Sequence, residues 1–312
     1  MSEVSISKVA VIGCGTVGAG WATLFLAAGL SVRCADPSPD TDATVREYVE
    51  RAWPIMMALR SDCPPLASAL ARLSVHDIAT AVSEADFVQE SIPERLDLKR
   101  ALYADIEQVL APGRILATST SGLRPSELQA SLSRPETFVV GHPFNPPHLM
   151  PLVEVVGGQR TDPATIDAAI RFYTRLGKRP IHLRKEVPGH VANRLQAALW
   201  REAVSLAAEG VASIADIDAA IVAGPGLRWA VMGPHMTLHL AAGERGIAAL
   251  IAHLGPTFES WWADLGTPTL DASTKRIIVD GVTAEAGSRE VRELIQQRDA
   301  ALLQVLKVQP IS

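Results

Sequence analysis

The feature that most constrains the fold is a cluster of glycines that directly follows a short apolar run near the start of the chain. Val9–Ile12 is uniformly apolar, and three glycines follow it with the spacing G-x-G-x-x-G: Gly13, Gly15 and Gly18. An apolar stretch of helical character, Trp21–Ala28, comes next, and a strand-like run, Ser31–Ala35, ends at the acidic residue Asp36. This order predicts a strand, a tight turn, a helix and a second strand.

Each of the three glycines meets a different structural requirement. Gly13 permits the tight turn, Gly15 lets the backbone approach a pyrophosphate, and Gly18 lets the helix pack closely on the strand. The N–H groups at the start of the helix, at Thr16 and Val17, would hold the phosphates. The sequence therefore predicts a dinucleotide-binding site.

The acidic residue after the second strand indicates which dinucleotide is bound. Asp36 would accept hydrogen bonds from the hydroxyls of the adenosine ribose. The following Pro37-Ser38-Pro39 offers no basic residue that would neutralise a 2′-phosphate. The expected cofactor is therefore NAD rather than NADP.

Two alternatives compete with this interpretation. Residues 9–30 contain no charged residue, a pattern that also fits a membrane-spanning helix. Five glycines break that stretch into strand, turn and helix, so we favour the dinucleotide-binding unit. A β-α-β unit of the same type that holds no ligand is the second alternative.

Composition and charge narrow the class of protein. The 312 residues are enough for two domains, and the net charge of −5 gives no reason to expect nucleic acid or an anionic membrane as a partner. Cys14, Cys34 and Cys63 show no metal-type spacing, so no metal site is predicted. Such a sparse, odd set of cysteines suits a reducing compartment, and no secretory signal precedes the first strand. We therefore expect a cytoplasmic protein.

Short apolar runs alternate with helical patterns over the first part of the chain. Seven runs are predicted as strands: Val9–Ile12, Ser31–Ala35, Phe87–Glu90, Ile115–Ser119, Phe138–Gly141, Leu152–Val156 and Pro180–Arg184. The alternation predicts an α/β fold with a Rossmann-type, doubly wound and mostly parallel sheet. Beyond Val187-Pro188-Gly189 apolar residues recur at helical spacing and no strand is predicted. We expect an NAD-binding domain at 1–186 and an all-helical substrate domain at 187–312, whose alanines and leucines suit a homodimer interface.

Four polar residues stand at the ends of predicted elements, where ligands of open α/β sheets bind: Ser121, His142, Glu154 and Asn193. A histidine and a carboxylate can act as a general base and its partner, because the carboxylate holds one ring nitrogen while the other takes a proton. A serine hydroxyl and an asparagine amide can position a substrate oxygen. From the pattern alone, His142 also fits a core or capping histidine, and Glu154 also fits a salt bridge or an exposed face.

At these residues the chain resembles the 3-hydroxyacyl-CoA dehydrogenase superfamily over nearly its whole length. Besides the glycine motif, five segments carry the resemblance: Pro93-Glu94 with Lys99, Ser119–Gly122, His142–Pro146, Pro151–Val156 and Gly189–Leu195. The resemblance implies that His142 is the general base with Glu154 as its partner, and that Ser121 and Asn193 contact the substrate. It also implies two residues along the nicotinamide half of NAD: Glu94 and Lys99.

Within the superfamily the chain is similar to the branch that contains L-carnitine dehydrogenase and lambda-crystallin, an L-gulonate 3-dehydrogenase. The likeness lies in Glu90–Lys99, in Gly226–Ala230 with its Arg228-Trp229 pair, and in Leu240–Gly246. The chain departs from that branch at two places: His235-Met236 and Trp261-Trp262.

Several residues favour a small acidic substrate over a coenzyme A thioester. Coenzyme A carries phosphates, yet the helical region Val49–Leu73 has only three arginines and no lysine. Arg228 can bind a carboxylate through two hydrogen bonds, although an arginine lying along the packed indole of Trp229 is the alternative. Tryptophan faces at Trp229, Trp261 and Trp262 can also receive a quaternary ammonium.

The predicted function is therefore NAD-dependent oxidation of the 3-hydroxyl of a small hydroxy acid, similar to L-carnitine or L-gulonate. A 3-hydroxybutyryl-CoA dehydrogenase is one alternative, and a crystallin-like NADH-binding protein without turnover is another. A dehydrogenase of the 3-hydroxyisobutyrate type is disfavoured, since it uses a lysine soon after a G-x-x-x-N segment. Here Asn193 is followed by Arg-Leu-Gln.

Overall fold

The computed structural model describes residues 6–308. The chain divides into two compact units, Met1–Arg194 and Leu195–Ser312. The division falls after Arg194, whereas the boundary expected from the sequence lies at 186; the latter stays a prediction for the functional domains. None of the helices within the described range is long and apolar enough to cross a membrane.

The first unit is built on a single eight-stranded sheet with the order β3-β2-β1-β4-β5-β6-β7-β8. Its strands are β1 Lys8–Ile12, β2 Ser31–Ala35, β3 Leu73–Val75, β4 Phe87–Glu90, β5 Ile115–Thr118, β6 Phe138–Pro143, β7 Leu152–Val156 and β8 Arg179–His182. All neighbouring pairs are parallel except β6 and β7. The predicted Rossmann-type, mostly parallel sheet is confirmed.

Helices cover both faces of this sheet. Those of the first unit are α1 Thr16–Ala27, α2 Thr41–Leu59, α3 Leu66–Leu70, α4 Ile78–Ser83, α5 Leu96–Val109, α6 Pro125–Leu128 and α7 Pro163–Arg175. Alternate residues of β1 belong to two different hydrophobic clusters, Val9 and Val11 to one, Ala10 and Ile12 to the other. A strand that is buried on both faces needs a continuous apolar run, which explains why β1 shows no polar alternation.

Two sequence predictions in this unit need correction. The region Val49–Leu73 is not one helical stretch, because α2 ends at Leu59 and Leu73 begins a strand. The residue after α2, Arg60, is already extended, with φ of −124° and ψ of 118°, and Pro65 stands at the N-cap of the separate helix α3. The strand β3 is not among the predicted strands, because its three residues are too few to show a period.

The second unit contains helices and no strand among its described residues, as the sequence predicts. The helices are α8 Ala192–Ala208, α9 Ile214–Ala223, α10 Pro225–Trp229, α11 Pro234–Ala241, α12 Gly246–Asp264, α13 Ala272–Ala286 and α14 Val291–Val308, with α8 starting just before the division. Two of them are capped by side chains that accept a hydrogen bond from the helix N–H three residues on, Ser213 for α9 and Asp271 for α13.

A buried lysine holds the loop that follows β6. Lys178 is 6% exposed, and its ammonium donates hydrogen bonds to the carbonyl oxygens of Pro147 and Met150. The same ammonium lies 5.5 Å from the ring centroid of Trp21. Burial lowers the pKa of Lys178 to about 7, because the two carbonyls and the ring replace only part of the lost hydration.

This lysine makes the stability of the protein depend on pH. Below pH 7 both the folded and the unfolded chain hold the proton, and between pH 7 and roughly 10.4 only the unfolded chain does. The free energy of unfolding of the wild type, relative to Lys178→Met, should therefore rise with pH, by up to about 1.4 kcal/mol per pH unit. Urea unfolding of both proteins at pH 7, 8 and 9 checks this. A constant difference between them would contradict it.

Candidate active site

The first unit brings His142 and Glu154 together across the antiparallel strands. The two residues are direct partners in the register of β6 and β7, so their side chains emerge on the same face of the sheet. His142 Nδ1 lies 2.8 Å from Glu154 Oε2, and both side chains are buried. Because a carboxylate only accepts hydrogen bonds, Nδ1 carries the proton and the lone pair is on Nε2.

The other carboxylate oxygen is held by the start of α8. Glu154 Oε1 accepts hydrogen bonds from the backbone N–H groups of Val191 at 2.8 Å and Ala192 at 3.0 Å. Burial raises the pKa of the Glu154 carboxyl. The hydrogen bonds from His142 and from the two N–H groups lower this pKa by more than burial raises it. The net pKa lies below the ordinary value, so the carboxylate is ionised at neutral pH.

The geometry bears on the alternatives that the sequence left open for these two residues. Glu154 is neither on an exposed face nor paired with an arginine or lysine among the described residues, because its partner is an imidazole. His142 is buried, but one of its ring nitrogens is held by a carboxylate rather than by a helix end. This arrangement can accept a proton at Nε2 and stabilise the resulting imidazolium through Glu154.

Ser121 and Asn193 also meet in the first unit. The side-chain amide of Asn193 donates to the carbonyl oxygen of Ser121 over 3.4 Å, and the serine side chain is exposed just after β5. His190 joins this segment to the histidine–glutamate pair. Its Nε2 lies 3.0 Å from the carbonyl oxygen of Thr120, and its ring centroid lies 5.1 Å from that of His142.

Glu94 organises the backbone of the Ser119–Gly122 segment. Its Oε1 accepts hydrogen bonds from Thr120 Oγ1 at 2.6 Å and from the N–H groups of Ser121 and Gly122, both at 2.9 Å. Burial raises the pKa of Glu94. The hydrogen bond from Thr120 and the nearby Lys99 ammonium lower this pKa by more, so the net pKa is below the ordinary value. The residue is therefore a charged group beside the predicted substrate serine.

Lys99 belongs to a buried network that the sequence analysis did not foresee. Its ammonium lies 2.7 Å from Glu90 Oε1 and 3.7 Å from Glu94 Oε2. Glu90 Oε2 in turn accepts hydrogen bonds from Tyr103 and Thr118, each at 2.6 Å. The segment Glu90–Lys99 contributed to the family resemblance, but nothing in its spacing indicated that Glu90 and Lys99 form an ion pair.

The glycine-rich turn leaves the space that a pyrophosphate requires. Gly13 has φ of +87°, and a Cβ there would lie 2.7 Å from the carbonyl carbon of Ser91, so no other residue fits. A Cβ on Gly15, in contrast, would meet no atom within 4 Å. That open space adjoins the start of α1, which has no side-chain cap and no acidic residue in its first turn. The turn therefore fits the phosphates of NAD.

Asp36 lies at the end of β2 and is fixed by the same turn. Its Oδ2 accepts a hydrogen bond from the N–H of Cys14 at 2.7 Å, and its Oδ1 accepts one from the N–H of Ser38 at 3.0 Å. Each carboxylate oxygen keeps lone pairs for further donors such as ribose hydroxyls. The residues present thus fit the adenosine half of NAD.

The predicted substrate residues Arg228 and Trp229 belong to the second unit. They form the last turn of the short helix α10, and Trp229 is 41% exposed. Arg228 is also exposed and forms no ion pair among residues 6–308. Its guanidinium is therefore available to an anionic group, and its assignment to the substrate stays a prediction.

Comparison with known proteins connects both units to one set of enzymes. Residues 8–187 match the domain described as 3-hydroxyacyl-CoA dehydrogenase, NAD binding domain, and residues 189–265 match its C-terminal domain. The L-carnitine dehydrogenase of Streptomyces coelicolor is 46% identical over 309 residues, with 98% of this chain and 96% of the relative covered. That of a Pseudomonas species is 47% identical over 303 residues, with 97% and 94% covered.

Solved structures give the same result at lower identity. An NAD⁺-dependent dismutase, 5-formyl-3-hydroxy-2-methylpyridine 4-carboxylic acid 5-dehydrogenase, superimposes with a TM-score of 0.80 at 30% identity, covering 98% of this chain and all of that one. The (S)-3-hydroxybutyryl-CoA dehydrogenase of Ralstonia eutropha gives 0.63 at 28% identity, covering 90% and 95%.

Proposed function

The chain belongs to the 3-hydroxyacyl-CoA dehydrogenase family and is an NAD-dependent oxidoreductase of a small 3-hydroxy acid, and on that premise we propose that it oxidises L-carnitine at its 3-hydroxyl group. The observation that carries the chemistry is the 2.8 Å contact between His142 and Glu154, which leaves Nε2 of the histidine as a base. Near-full-length relatives that are 46% and 47% identical and bear the name L-carnitine dehydrogenase support the substrate.

In this proposal His142 Nε2 takes the proton of the substrate hydroxyl as the carbon–hydrogen bond at C3 breaks. Glu154 holds Nδ1–H throughout and stabilises the imidazolium, because its carboxylate stays ionised. The Ser121 hydroxyl and the Asn193 amide position the substrate oxygen. NAD, when bound, supplies the acceptor for the hydride.

The cofactor is proposed to lie along the residues already described. The backbone of Gly15, Thr16 and Val17 would hold the pyrophosphate, and Asp36 would accept from the adenosine ribose. Two residues are assigned to the nicotinamide half: Glu94 and Lys99. Glu94 is partly exposed. Lys99 is buried and would act there indirectly, through its ion pairs with Glu90 and Glu94.

A second candidate is a 3-hydroxybutyryl-CoA dehydrogenase, since the Ralstonia eutropha enzyme of that name shares the fold. Against it stands the low basic charge of residues 49–73, which would offer few partners to the phosphates of coenzyme A. The intact histidine–glutamate pair also argues against a crystallin-like NADH-binding role without turnover. L-Gulonate remains a further candidate for the substrate.

The His142 and Glu154 roles predict a loss of turnover without a loss of cofactor binding. His142→Ala and Glu154→Gln should each lower kcat by about 10²–10⁴-fold, because a general base contributes about that much. The dissociation constant for NADH, measured by its fluorescence, should change little. His182→Ala, which removes an exposed histidine from β8, is the matched control. Near wild-type kcat in His142→Ala would remove this residue from the mechanism.

Arg228 is proposed to bind the substrate carboxylate, with Trp229 beside the trimethylammonium group. Arg228→Ala should raise KM for carnitine by about tenfold to 100-fold, since a charge-assisted hydrogen bond is worth about 1.5–3 kcal/mol. KM for NAD should stay the same, and Arg276→Ala in α13 should change neither value. Initial rates with carnitine, gulonate, 3-hydroxybutyrate and 3-hydroxybutyryl-CoA test the assignment. It fails if the thioester is the best substrate or if KM is unchanged in Arg228→Ala.

We further propose that the protein is a homodimer formed through the second unit. Many large apolar side chains of that unit are exposed, among them Trp200 at 52%, Trp261 at 57% and Trp262 at 65%. Exposed apolar area of this kind is typical of subunit interfaces. Light scattering at micromolar concentration should give twice the 33.3 kDa chain mass. A mass near 33.3 kDa would contradict the dimer.

A cytoplasmic location is also proposed. Cys14, Cys34 and Cys63 are all free thiols. Sparse, unpaired cysteines suit a reducing compartment, which supports this location.

A further inference from the structure

His190 occupies a backbone conformation that side-chain-bearing residues rarely adopt. Its φ is +53°, and it follows Gly189, whose φ is +76°. Glycine adopts the left-handed region without cost, whereas a histidine there is strained. Such strain persists where the surrounding structure enforces it, and it is concentrated at functional sites.

The imidazole of His190 also carries an unsatisfied polar atom, because one of its nitrogens is buried without a hydrogen-bond partner among the described residues. The side chain is 1% exposed, and Nε2 donates its hydrogen to the carbonyl oxygen of Thr120 over 3.0 Å. Nδ1 is then an acceptor, and it has no hydrogen-bond partner among the described residues. Burial lowers the pKa of His190 and the neighbouring His142 lowers it further, so the ring is neutral.

This ring contacts the parts of the site that have to be held together. Its centroid lies 5.1 Å from that of His142 at an interplanar angle of 46°. Its bond to Thr120 fixes the backbone next to the substrate serine. The turn it occupies also directs the next two N–H groups, of Val191 and Ala192, onto Glu154.

We propose that His190 is a positioning residue for His142. Its neutral ring packs against the imidazole of the base and keeps it at a fixed distance from the Thr120-Ser121 backbone. A phenylalanine would fill the same space but would not make the hydrogen bond to Thr120. A protonated His190 ring would repel the imidazolium that forms on His142. The role rests on the proposed function, since it presumes that His142 is the base.

Two substitutions separate positioning from simple structural support. His190→Phe keeps the ring and removes both nitrogens, so it also removes the unpartnered acceptor. His190→Asn suits the left-handed backbone, since asparagine tolerates that region, but it lacks the ring. Both proteins are to be compared with wild type and with His182→Ala for kcat and KM, using whichever of the four hydroxy substrates is turned over best. Their NADH dissociation constants and Tm are measured in parallel.

The expected result is a fall in kcat of about tenfold to 100-fold in both variants, with KM and NADH binding within twofold of wild type. The Tm of His190→Phe should stay close to that of wild type, because removal of the unsatisfied Nδ1 offsets the loss of the donor to the Thr120 carbonyl. A residue that serves only stability would show the opposite, a lower Tm with unchanged kcat in the folded protein, and that result would overturn the inference.

The same measurements separate this inference from the proposed function. Wild-type kcat in the His190 variants together with an inactive His142→Ala would overturn only the role of His190. Full activity of His142→Ala, or no turnover of any of the four substrates, would overturn the proposed function and the role of His190 with it.

Discussion

The hydrogen bond between His142 and Glu154 is the interaction on which the rest of the site depends. It exists because β7 runs antiparallel to β6 in an otherwise mostly parallel sheet, which places the two residues directly opposite each other. A shift of one residue in the register would move one of the side chains to the other face. The start of α8 completes the arrangement, since two backbone N–H groups there keep the buried carboxylate charged.

Buried charge recurs around this pair and has to be compensated locally. An ionised carboxylate in an apolar interior is costly unless hydrogen bonds replace its hydration. Glu154 has three such bonds, and Glu90 has bonds from Lys99, Tyr103, Thr118 and the N–H of Ile92. The bonds of Glu90 connect β4 with Thr118 on β5 and with Lys99 and Tyr103 on α5.

Much of the fold could be predicted from sequence, because long apolar runs and glycine spacing are local signals. The unit from β1 through α1 to Asp36 is of this kind, and so is the change to helices after the sheet. The three-residue strand β3 has no period to detect, and its place depends on pairing with β2. The end of α2 at Leu59 has no comparable signal in the sequence, since a proline within this helix, Pro54, does not end it. The first of these errors arises because tertiary pairing decides where the short strand lies.

The candidate site was predictable only in part, for a similar reason. His142 and Glu154 lie on strands whose pairing a reader can anticipate, and the family resemblance selects them. The burial of Lys99 depends on its ion pair with Glu90, nine residues earlier and across a loop, and the role of His190 depends on its contact with Thr120, 70 residues away in sequence. No spacing rule reports such contacts, and a strained histidine after a glycine looks like any turn residue.

The central claim is that Glu154 holds His142 with its proton on Nδ1 and its lone pair on Nε2. Nitrogen-15 NMR of histidine-labelled protein measures this directly, with His142→Ala used to assign the signals. We predict that the neutral ring is a single tautomer protonated at Nδ1, and that this preference is lost in Glu154→Gln. A wild-type His142 protonated at Nε2, or a tautomer unchanged in Glu154→Gln, would contradict the claim.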